Sequence, residues 1–594
     1  MRCTGPQTPT IALAQKHMAE HQSNITGVNF TSSCKGGSTN TSSCLVTICA
    51  GRLVLDDSRV GWVRGIPVNT VVCVAGDSIV EVRNSRFTQN RARPLAVYDQ
   101  AQVVLHASNV SFNFLKGSGG GLLATGNASV LISGGSRVHS NAASDDGGGL
   151  VVRDNVKLRL EGNSRVGNNT AGQFGGGLAA FGNATVTLTG GSIVRGNRAQ
   201  GRSGGGLAVL EEAQCNLTGN SSVHSNTAET SGGGLFVDSK AVAVVSGCSI
   251  AHNRADNGGG VAARGSAGVA VSGGSSVHNN SALGAGGGLI GWGSPNINIT
   301  GNSSVHGNTA DDGGGLVAWE YTCLLIAGSN VYNNTARKYT GGGLTVQQSA
   351  NVTLTDGSSV HDNKAVKSGG GLIAKGAGVK LTINGRSRVH RNSVSKGSGG
   401  GLDVAGGADV TISGGSSITN NTARGGGGGG IAVDTPQDVP FDAPIPSYRG
   451  GLETFGVAAG RPGEGVNPAF KFYEVAQAVS YSRVSISNST VASNTSNLGA
   501  GGGLAVGGNA TVELLNGTVV ANNSAVEGAG GGAALFGTAT LRSGDGVVFV
   551  NNTVSKGFQG SFIAALENAT LLLPAQGKLT RCSAGVFYLR LPGC

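Results

Sequence analysis

Charge, aromatic rings and methionine are scarce in this 594-residue chain. Charged side chains make up 12% of it and aromatic side chains 5%, and there are 2 methionines and 10 cysteines. The low charge and the 39% apolar share exclude a disordered polyelectrolyte, and the shortage of strong helix formers argues against a helical protein. No apolar run reaches the length of about 20 residues that a membrane-spanning helix needs, so we predict no transmembrane helix.

Clustered positive charge is also missing from the linear sequence. The net charge is +10, from 42 Lys and Arg against 32 Asp and Glu, but no basic run occurs. Nucleic-acid binding needs cations that are clustered along a backbone, so we predict no nucleic-acid partner. The chain also lacks a phosphate-binding loop and a CxxC pair, and we predict no cofactor.

Glycine, in contrast, is abundant, with 105 residues that do not follow the Gly-X-Y period of collagen. Many of these glycines form triplets before an aliphatic residue, and this landmark recurs about every 28 residues. The residues that close the landmark are Leu122, Leu150, Leu178, Leu207, Leu235, Val261, Leu289, Leu316, Leu344, Leu372, Leu402, Ile431 and Leu504.

A second landmark is an Asn that stands three residues after an apolar residue. It falls at Asn90, Asn113, Asn141, Asn169, Asn197, Asn226, Asn253, Asn280, Asn308, Asn334, Asn363, Asn392, Asn421, Asn494, Asn523 and Asn552. One interval is lengthened by an insertion, residues 435–480, which is rich in proline and aromatic residues. Repetition with a period of 20 to 50 residues indicates a solenoid or a similar array.

Within each repeat, apolar residues alternate with polar ones, as is typical of short strands. The glycines precede one apolar pair, such as Leu207 and Val209, and a second pair such as Val186 and Leu188 follows a turn. A single valine such as Val194 then follows a Gly-Gly-Ser turn. Three short strands per repeat predict an all-β fold, a right-handed parallel β-helix of about 17 coils, in which each strand pairs with its equivalents above and below.

Both landmarks have a structural role in such a coil. Glycine suits corners with a positive φ and places where neighbouring coils leave no room for a Cβ atom. The recurrent Asn suits a corner in the left-handed conformation. Its amide can also bond to the Asn of the next coil, which would give a ladder of mutually satisfied buried groups.

The repeat sets the domain boundaries. We expect a poorly ordered, Ser/Thr-rich arm at residues 1–43 and a β-helix with terminal caps over residues 44–594. Cysteines concentrate near the two ends, where disulfides of unknown pairing would secure the terminal coils. Cys215 and Cys323 instead stand in the slot that Val186 and Ile297 fill elsewhere, so we expect both to be buried thiols.

The insertion at 435–480 interrupts one coil between its first and second strands. Its aromatic residues Tyr448, Phe470, Phe472 and Tyr473 indicate either a binding loop or a tolerated surface insertion, because long segments of this kind are often functional or disordered. The sequence leaves both interpretations open.

The compartment is indicated by sequons. There are about twenty-two Asn-X-Ser/Thr sites, including Asn127, Asn183, Asn298, Asn351 and Asn509, and they fit an extracellular or cell-surface glycoprotein. The first twenty residues contain no apolar segment typical of a secretory signal. We therefore expect either a leader that this sequence does not include or another export route.

Histidine follows the third-strand valine in six repeats. Because that valine points inward, we expect these side chains to point outward, with His278 beside His306 and His361 beside His390. Two neighbouring imidazoles make a weak metal site, so we interpret them as surface residues and predict no metal. The six residues are His139, His224, His278, His306, His361 and His390.

The outward slots of the first strand supply the candidate ligand-binding residues. Trp292 and Trp319 stand on adjacent coils and, with Phe181, could form a platform that stacks sugars. Asp238 and Arg264 are also neighbours on this face. The alternative interpretation is a row of rings that only covers the sheet.

Catalytic residues are not predicted on this face. A carbohydrate lyase or hydrolase needs paired carboxylates, or several acidic Ca²⁺ ligands with a base, and the first-strand slots offer about one Asp per several coils. The slot directly after the landmark is mostly apolar, which indicates a covered or partner-binding face. That slot holds Leu123, Val151, Phe236, Ile290, Val317 and Ile373.

The paired landmarks resemble the GGA[IL] and FxxN repeats of chlamydial polymorphic outer membrane proteins and of similar repeat proteins. The segments at 87–90 (FTQN) and 549–552 (FVNN) match the second motif, while other repeats carry Val or Ile in place of Phe, and glycine triplets stand in place of GGA. The resemblance covers residues 85–560 approximately. It implies a right-handed, pectin-lyase-like β-helix that acts as a surface-exposed adhesin or passenger.

These observations predict a non-enzymatic, extracellular or cell-surface β-helix that binds a glycan or a surface protein. Two alternatives remain open: a carbohydrate-active enzyme of the pectin-lyase-like fold, and a purely structural rod of a wall or matrix. The sequence does not indicate the oligomeric state.

Overall fold

Four short strands and four corners make up each coil of the chain. The computed structural model describes residues 28–31, 44–48, 51–61, 63, 69–434, 481–555, 562–566, 568–575, 578–583 and 587–589. Within these residues every regular element is a strand, and equivalent strands of successive coils pair in parallel to form a β-solenoid of about 17 turns with four parallel sheets. The predicted all-β parallel β-helix is therefore confirmed.

The first sheet contains the strands that follow the glycine triplets, because the apolar pair after each triplet alternates into the core. Its parallel strands are Cys44–Ile48, Thr70–Val74, Arg93–Val97, Leu122–Ala124, Leu150–Val152, Leu178–Ala180, Leu207–Val209, Leu235–Val237, Val261–Gly265, Leu289–Gly293, Leu316–Ala318, Leu344–Gln347, Leu372–Lys375, Leu402–Ala405, Ile431–Val433, Leu504–Val506, Ala533–Leu535 and Ile563–Ala565.

The second sheet follows a tight turn and carries the second apolar pair. Its parallel strands are Arg52–Asp56, Ile79–Arg83, Gln102–His106, Ser129–Ser133, Lys157–Leu160, Thr185–Leu188, Gln214–Leu217, Val242–Ser246, Gly268–Ser272, Asn296–Ile299, Cys323–Ala327, Asn351–Thr355, Lys380–Ile383, Asp409–Ile412, Arg483–Ile486, Thr511–Leu514, Thr540–Ser543 and Thr570–Ala575.

The third sheet has three-residue strands whose middle residue points inward and whose two outer residues point outward. Its strands are Arg59–Gly61, Arg86–Thr88, Asn109–Ser111, Arg137–His139, Arg165–Gly167, Ile193–Arg195, Ser222–His224, Ser249–Ala251, Ser276–His278, Ser304–His306, Asn330–Tyr332, Ser359–His361, Arg388–His390, Ser417–Thr419, Thr490–Ala492, Val519–Ala521 and Val548–Val550.

A fourth sheet, which the sequence analysis does not predict, has strands of only two residues. They are Phe114–Leu115, Ala142–Ala143, Thr170–Ala171, Arg198–Ala199, Thr227–Ala228, Arg254–Ala255, Ser281–Ala282, Thr309–Ala310, Thr335–Ala336, Lys364–Ala365, Ser393–Val394, Thr422–Ala423, Thr495–Ser496, Ser524–Ala525 and Thr553–Val554. Each follows a ladder Asn, and the glycine-rich corner then returns the chain to the first sheet.

Antiparallel strands cover part of each end of the solenoid. At one end Val28–Thr31, within the predicted arm, pairs with Arg52–Asp56. At the other end Lys578–Ser583 pairs with Thr570–Ala575, and Phe587–Leu589 pairs with Ile563–Ala565. A disulfide between Cys44 and Cys73 ties the first two strands of the first sheet, in agreement with the prediction that disulfides secure terminal coils.

The recurrent Asn forms the predicted ladder. The Asn169 side chain donates from Nδ2 to the Val138 carbonyl oxygen (2.9 Å) and to Oδ1 of Asn197 (3.0 Å), and its backbone N–H donates to the same Oδ1 (3.0 Å). The ladder Asn residues from Asn90 to Asn552 are all buried. The buried amide groups of this column therefore find their hydrogen-bond partners in the Asn of the next coil and in a backbone carbonyl oxygen.

The left-handed conformation at this corner belongs to the residue before the ladder Asn, so its predicted assignment to the Asn itself is wrong. Asn168 has a φ of 54° and Ser140 a φ of 55°, whereas the Asn that follows each is not in this region. The Asn backbone is extended into the fourth sheet, which lets its side chain turn inward to the ladder.

Each glycine of a triplet is required, as predicted. In one triplet Gly204 has a φ of 74°, and a Cβ on Gly205 or Gly206 would lie 2.5 or 2.6 Å from a glycine carbonyl oxygen of the next coil. A side chain at Gly205 or Gly206 would force the coils apart, and one at Gly204 would be strained by the positive φ and would clash with Leu207 in the same coil.

The prediction that Cys215 and Cys323 are both buried is half wrong. Cys215 is buried and its burial raises the pKa of the thiol to about 12, but Cys323 is exposed. It pairs with Asn296, while the next residue, Leu324, pairs with the inward Ile297. The step from the inward Ile326 to the inward Val331 is one residue shorter than the step from Ile299 to Val305 in the preceding coil, and a one-residue shift in register exchanges the two faces of a strand.

Candidate functional site

The predicted aromatic platform lies on the outer side of the first sheet, within a second apolar cluster. Phe181 is 8% and Trp292 6% exposed, and Trp319 is half-buried. The Trp292 ring packs on Phe236 with centroids 6.4 Å apart, and the Arg153 guanidinium lies 4.8 Å from the centroid of Phe181. Little ring surface is left for a sugar, so this geometry favours the alternative interpretation, in which the rings cover the sheet.

The predicted neighbours Asp238 and Arg264 form an ion pair in the same cluster. Asp238 is 4% exposed, and Arg264 donates to its two carboxylate oxygens from Nε (2.8 Å) and from one terminal nitrogen (2.5 Å). The guanidinium also lies 5.5 Å from the centroid of Phe236. Each charge is neutralised by the other. We therefore interpret the pair as a structural part of the cluster.

The apolar slot after the landmark is covered by the chain itself. Val151, Phe236, Ile290 and Val317 belong to this outer cluster, and Ile373 is also buried. Of the two predicted possibilities, a covered face and a partner-binding face, these residues therefore form the covered face. They present no exposed apolar surface.

The insertion residues Tyr448, Phe470, Phe472 and Tyr473 lie outside the described residues. Their predicted role as a binding loop stays a prediction.

Two carboxylates near one lysine form the arrangement on the first sheet that most resembles a catalytic pair. Asp312 accepts hydrogen bonds from the backbone N–H (3.0 Å) and hydroxyl (2.7 Å) of Thr340, and Asp403 accepts one from Ser368 (2.5 Å). Desolvation raises the pKa of Asp312 and lowers the pKa of Lys375. The negative charges of Asp403 and Asp312 partly offset the second shift, because they raise the pKa of Lys375. These bonds hold the charges in place within the sheet.

The described strands of the third sheet contain no Asp or Glu, in contrast to those of the first and second sheets. The first outward position carries Arg59, Arg86, Asn109, Arg137 and Arg165 on five successive coils, at one register. Successive coils are about 4.8 Å apart. We call these five residues the arginine segment.

The arginines of this segment lack carboxylate partners. Arg59, Arg86 and Arg137 are exposed and Arg165 is half-buried, and within the described residues no ion pair involves any of them. Like charges directly opposite on neighbouring strands destabilise a sheet. The segment is thus a row of positive charge that the described fold does not neutralise.

Two exposed phenyl rings stand at the corner beside this row. Phe112 is 58% and Phe114 49% exposed, on either side of the inward Asn113. Phe112 has a φ of 55°, which is rare for a bulky side chain and costs about 1–2 kcal/mol. The equivalent residue is also left-handed in the other coils, for example Gln89 and Ser140, so the fold imposes this conformation and the exposed ring is what distinguishes the coil of Phe112.

A stack of rings occupies the second outward position farther along the same sheet. His278 and His306 have centroids 5.0 Å apart, and Tyr332 continues the stack 4.7 Å from His306. His361 and His390 extend it with separations of 5.0 and 4.9 Å. We call these five residues the imidazole ladder, and they confirm the predicted outward neighbours.

Partial burial lowers the pKa values of three histidines of the imidazole ladder. Desolvation is the main cause that lowers the pKa values of His278 and His306, with a smaller effect from the neighbouring imidazole. Desolvation together with His361 and Arg391 lowers the pKa of His390 to about 4. No group of three or more His, Cys, Asp and Glu side chains suited to a metal ion occurs in the described part of the chain.

The arginine segment is present in the sequence as a signal, but the landmarks and apolar patterns that predict the fold do not reveal it. Its five residues are 23–28 positions apart and form no linear run, so they become a row only when the repeats are aligned on the inward residue. The same alignment shows Phe at position 112, where most other coils carry Asn, Ser or Gly and the rest carry Gln89, His252, Asp362 and Arg391.

Comparison with known proteins found no matching family and no similar curated protein or solved structure. Within the described residues there is also no helix with the length and hydropathy that crossing a bilayer requires.

Proposed function

We propose that this protein is a non-enzymatic, extracellular or cell-surface scaffold that binds an acidic polysaccharide along the third sheet. The observation that carries the proposal is the arginine segment, a row of cations without carboxylate partners in the described fold. A polyanion that lies along the solenoid axis would contribute one negative charge after another to this row.

Electrostatics supports an anionic ligand. Arg86, Asn109 and Arg137 occupy one register on successive coils, and guanidinium groups recognise carboxylate and sulfate groups through paired, charge-assisted hydrogen bonds. A bound anionic polymer would remove the repulsion between neighbouring arginines. Asn109 would supply a neutral hydrogen-bond donor and acceptor between them.

The exposed rings favour a polysaccharide over other polyanions. Phe112 and Phe114 present apolar ring surface at the corner beside the arginines, and a sugar ring offers an apolar C–H face together with its charged groups. An acidic peptide would use the cations alone, while single-stranded nucleic acid would stack its bases on the rings. Those two classes are outcomes of the test below.

Three features support the compartment. The Cys44–Cys73 disulfide fits an oxidising environment, the sequons fit a secreted chain, and the repeat landmarks resemble those of chlamydial polymorphic outer membrane proteins. A pectin-lyase-like, adhesin-type surface role follows from that resemblance and is part of the proposal.

The test is binding of the whole protein to immobilised dextran sulfate and polygalacturonate, with uncharged dextran, polyglutamate and duplex or single-stranded DNA in parallel. We expect binding to the acidic glycans that falls with added salt. The variant Arg137→Ser/Arg165→Ser should lose about thirtyfold in affinity, since each lost charge contact is worth about 1 kcal/mol.

The matched control is Lys157→Ser/Arg159→Ser, which removes two cations from the second sheet of the same coil as Arg165. We expect it to bind like the unmodified protein. Equal losses in both variants, or tighter binding to polyglutamate or DNA than to the acidic glycans, would contradict the proposal. Release of reducing ends from polygalacturonate would overturn its non-enzymatic part.

A further inference from the structure

The imidazole ladder continues the outward face that carries the arginine segment. Its rings stack at separations of 4.7–5.0 Å with interplanar angles of at most 11°, so each ring covers the faces of its neighbours and leaves an edge available. The rings of His306 and Tyr332 make no hydrogen bond to another described residue, and both are half-buried. His306 and Tyr332 therefore present nitrogen and hydroxyl edges on adjacent coils, whereas both ring nitrogens of His278 lie beside Ser249 and Asn279.

The stacking geometry argues against a metal site. The lone pair of an imidazole nitrogen lies in the plane of its ring, so the lone pairs of His278 and His306, which are parallel within 3°, do not converge on one ion between them. A metal would need the rings to turn toward each other and to lose their stacking.

We propose that the imidazole ladder is a second binding segment for an acidic polysaccharide, engaged only after its histidines are protonated. The ligand class rests on the proposed function of the third sheet. Two positively charged rings about 5 Å apart repel each other, and an anionic group at their edges offsets that repulsion, so protonation and binding of the polyanion favour each other.

The charged and titratable groups around the ladder are few. His252 contacts His278 edge-on with centroids 5.9 Å apart. Asp362 accepts from Nδ1 of His361 at 2.7 Å and is also paired with Arg391. Arg388 adds positive charge beside His390. Asp362 is thus the carboxylate that faces the ladder in the described fold, and Arg391 already neutralises it.

The hydrogen bonds of the two terminal rungs, His278 and His390, are compatible with a change of charge. His278 Nε2 lies 3.1 Å from the Ser249 hydroxyl, and His390 Nε2 lies 3.0 Å from the Ser359 hydroxyl. A hydroxyl can accept from a protonated imidazole as readily as it can donate to a neutral one. At Ser249 and Ser359 protonation requires rotation of the hydroxyl. At His278 the side-chain amide of Asn279, whose Nδ2 lies 3.2 Å from Nδ1, must also turn to present its oxygen.

The pH range follows from the directions of the shifts. Burial lowers the pKa values of His278 and His306 below the usual value for histidine, so these rungs are neutral at about pH 7.5 and gain charge only in acid. A bound polyanion raises the pKa values again, because it stabilises the charged form. Affinity through the ladder should increase as the pH falls below about 6.5.

The experiment measures the affinity of the full protein for dextran sulfate at about pH 7.5 and about pH 5, with circular dichroism to establish that the fold is retained. Sulfate esters stay ionised across this range, so a change in affinity reports on the protein. We expect the affinity to rise about tenfold or more in acid, as two or more new charge-assisted contacts would give.

The ladder variant is His278→Gln/His306→Gln, which keeps a flat polar side chain but does not titrate. Its control is His106→Gln on the second sheet, where the imidazole is exposed and outside the ladder. The proposal predicts that the ladder variant loses the acid-dependent gain and keeps its affinity at pH 7.5, while the control keeps both. A full acid-dependent gain in the ladder variant, or the same loss in the control, would overturn it.

The Arg137→Ser/Arg165→Ser variant separates the two proposals. If it loses binding at pH 7.5 but keeps an acid-dependent gain that the ladder variant lacks, both segments bind. If the unmodified protein binds only in acid and only through the ladder, the proposed role of the arginine segment fails and the ladder proposal stands.

Discussion

The second and third sheets belong to the same coils, but they differ in the partners of their outward-facing arginines. On the second sheet, Glu81 pairs with both Arg52 and Arg83. On the third sheet, Arg59 and Arg86 stand side by side with no acidic partner among the described residues. These second-sheet arginines are therefore paired with a carboxylate, whereas the arginines of the arginine segment are not paired within the described residues.

The difference separates charge that belongs to the fold from charge that is available to a ligand. Opposite charges on neighbouring strands contribute about 0.2–1 kcal/mol to a sheet, and like charges cost a similar amount. The pairs Arg159–Glu161 and Arg542–Glu513 extend the first arrangement along the second sheet. On the third sheet the like charges of the arginine segment reduce the stability of the fold. A face that binds a polyanion has this property as long as no ligand is bound.

The largest effect is expected when a carboxylate is introduced into the third sheet. In Asn109→Glu the new side chain would lie between Arg86 and Arg137, and we expect the affinity for dextran sulfate to fall about thirtyfold, since the carboxylate neutralises the row and repels the ligand. The free energy of unfolding should rise by a few tenths of a kcal/mol. Asn109→Gln is the control of equal size, and an unchanged affinity in Asn109→Glu would contradict the assignment of the row.

The second prediction sharpens the role of the strained corner. Phe112→Asn removes an exposed ring and places at φ 55° a residue that tolerates this conformation, so the free energy of unfolding should rise by about 1 kcal/mol. The affinity for dextran sulfate should fall about five- to tenfold, because the ring no longer packs on the sugar. Urea unfolding and a binding titration measure the two effects.

Phe114→Asn is the matched control for that change. Its backbone lies in the short strand Phe114–Leu115, so we expect a similar loss of affinity without the gain in stability. A stability gain in both variants would show that the strain at Phe112 is not the cause.

The third prediction concerns stability in acid, where the two sheets should again differ. The folded-state pKa values of His278, His306 and His390 are lowered, so their neutral forms favour the fold above about pH 6.5, and this contribution is lost as the pH falls toward their folded-state values. For His390 that value is about 4. The melting temperature should therefore fall from about pH 6.5 downward.

His278→Gln/His306→Gln should reduce the steepness of that fall in a calorimetric pH series, whereas His106→Gln should leave it unchanged. The same slope in all three proteins would place the acid sensitivity elsewhere in the chain.

The smallest effect is expected on the second sheet. Glu161→Gln removes the partner of the exposed Arg159, and exposed ion pairs contribute about 0–1 kcal/mol, so the free energy of unfolding should change by less than about 0.5 kcal/mol. Affinity for dextran sulfate should stay within about twofold, because one freed arginine does not make a row. A clear gain in affinity would show that any unpaired cation on the solenoid suffices.

The fold could be predicted because each landmark has one structural task. The triplet Gly204–Gly206 leaves no room for a side chain, and the ladder amide of Asn169 is satisfied only by its neighbours, so their spacing identifies the coil directly. The fourth sheet escaped prediction because strands such as Thr170–Ala171 are too short to show an alternation of polar and apolar residues.

The errors and omissions concern features that a linear sequence does not display. The spacing of the preceding coil predicts Cys323 as inward, but the step to the next inward valine is one residue shorter in its own coil, and this shift exchanges the strand faces. The left-handed corner was assigned to the ladder Asn because Asn favours that conformation, while the residue before it varies in type. The arginine segment becomes visible only after the coils are stacked.

The most direct measurement of the central claim is protection of individual arginines from phenylglyoxal by bound dextran sulfate, mapped by mass spectrometry at neutral pH. The account predicts that Arg59, Arg86 and Arg137 on the third sheet become protected while Arg52 and Arg159 on the second sheet stay reactive. Equal protection of both sheets, or protection confined to the second sheet, would contradict it.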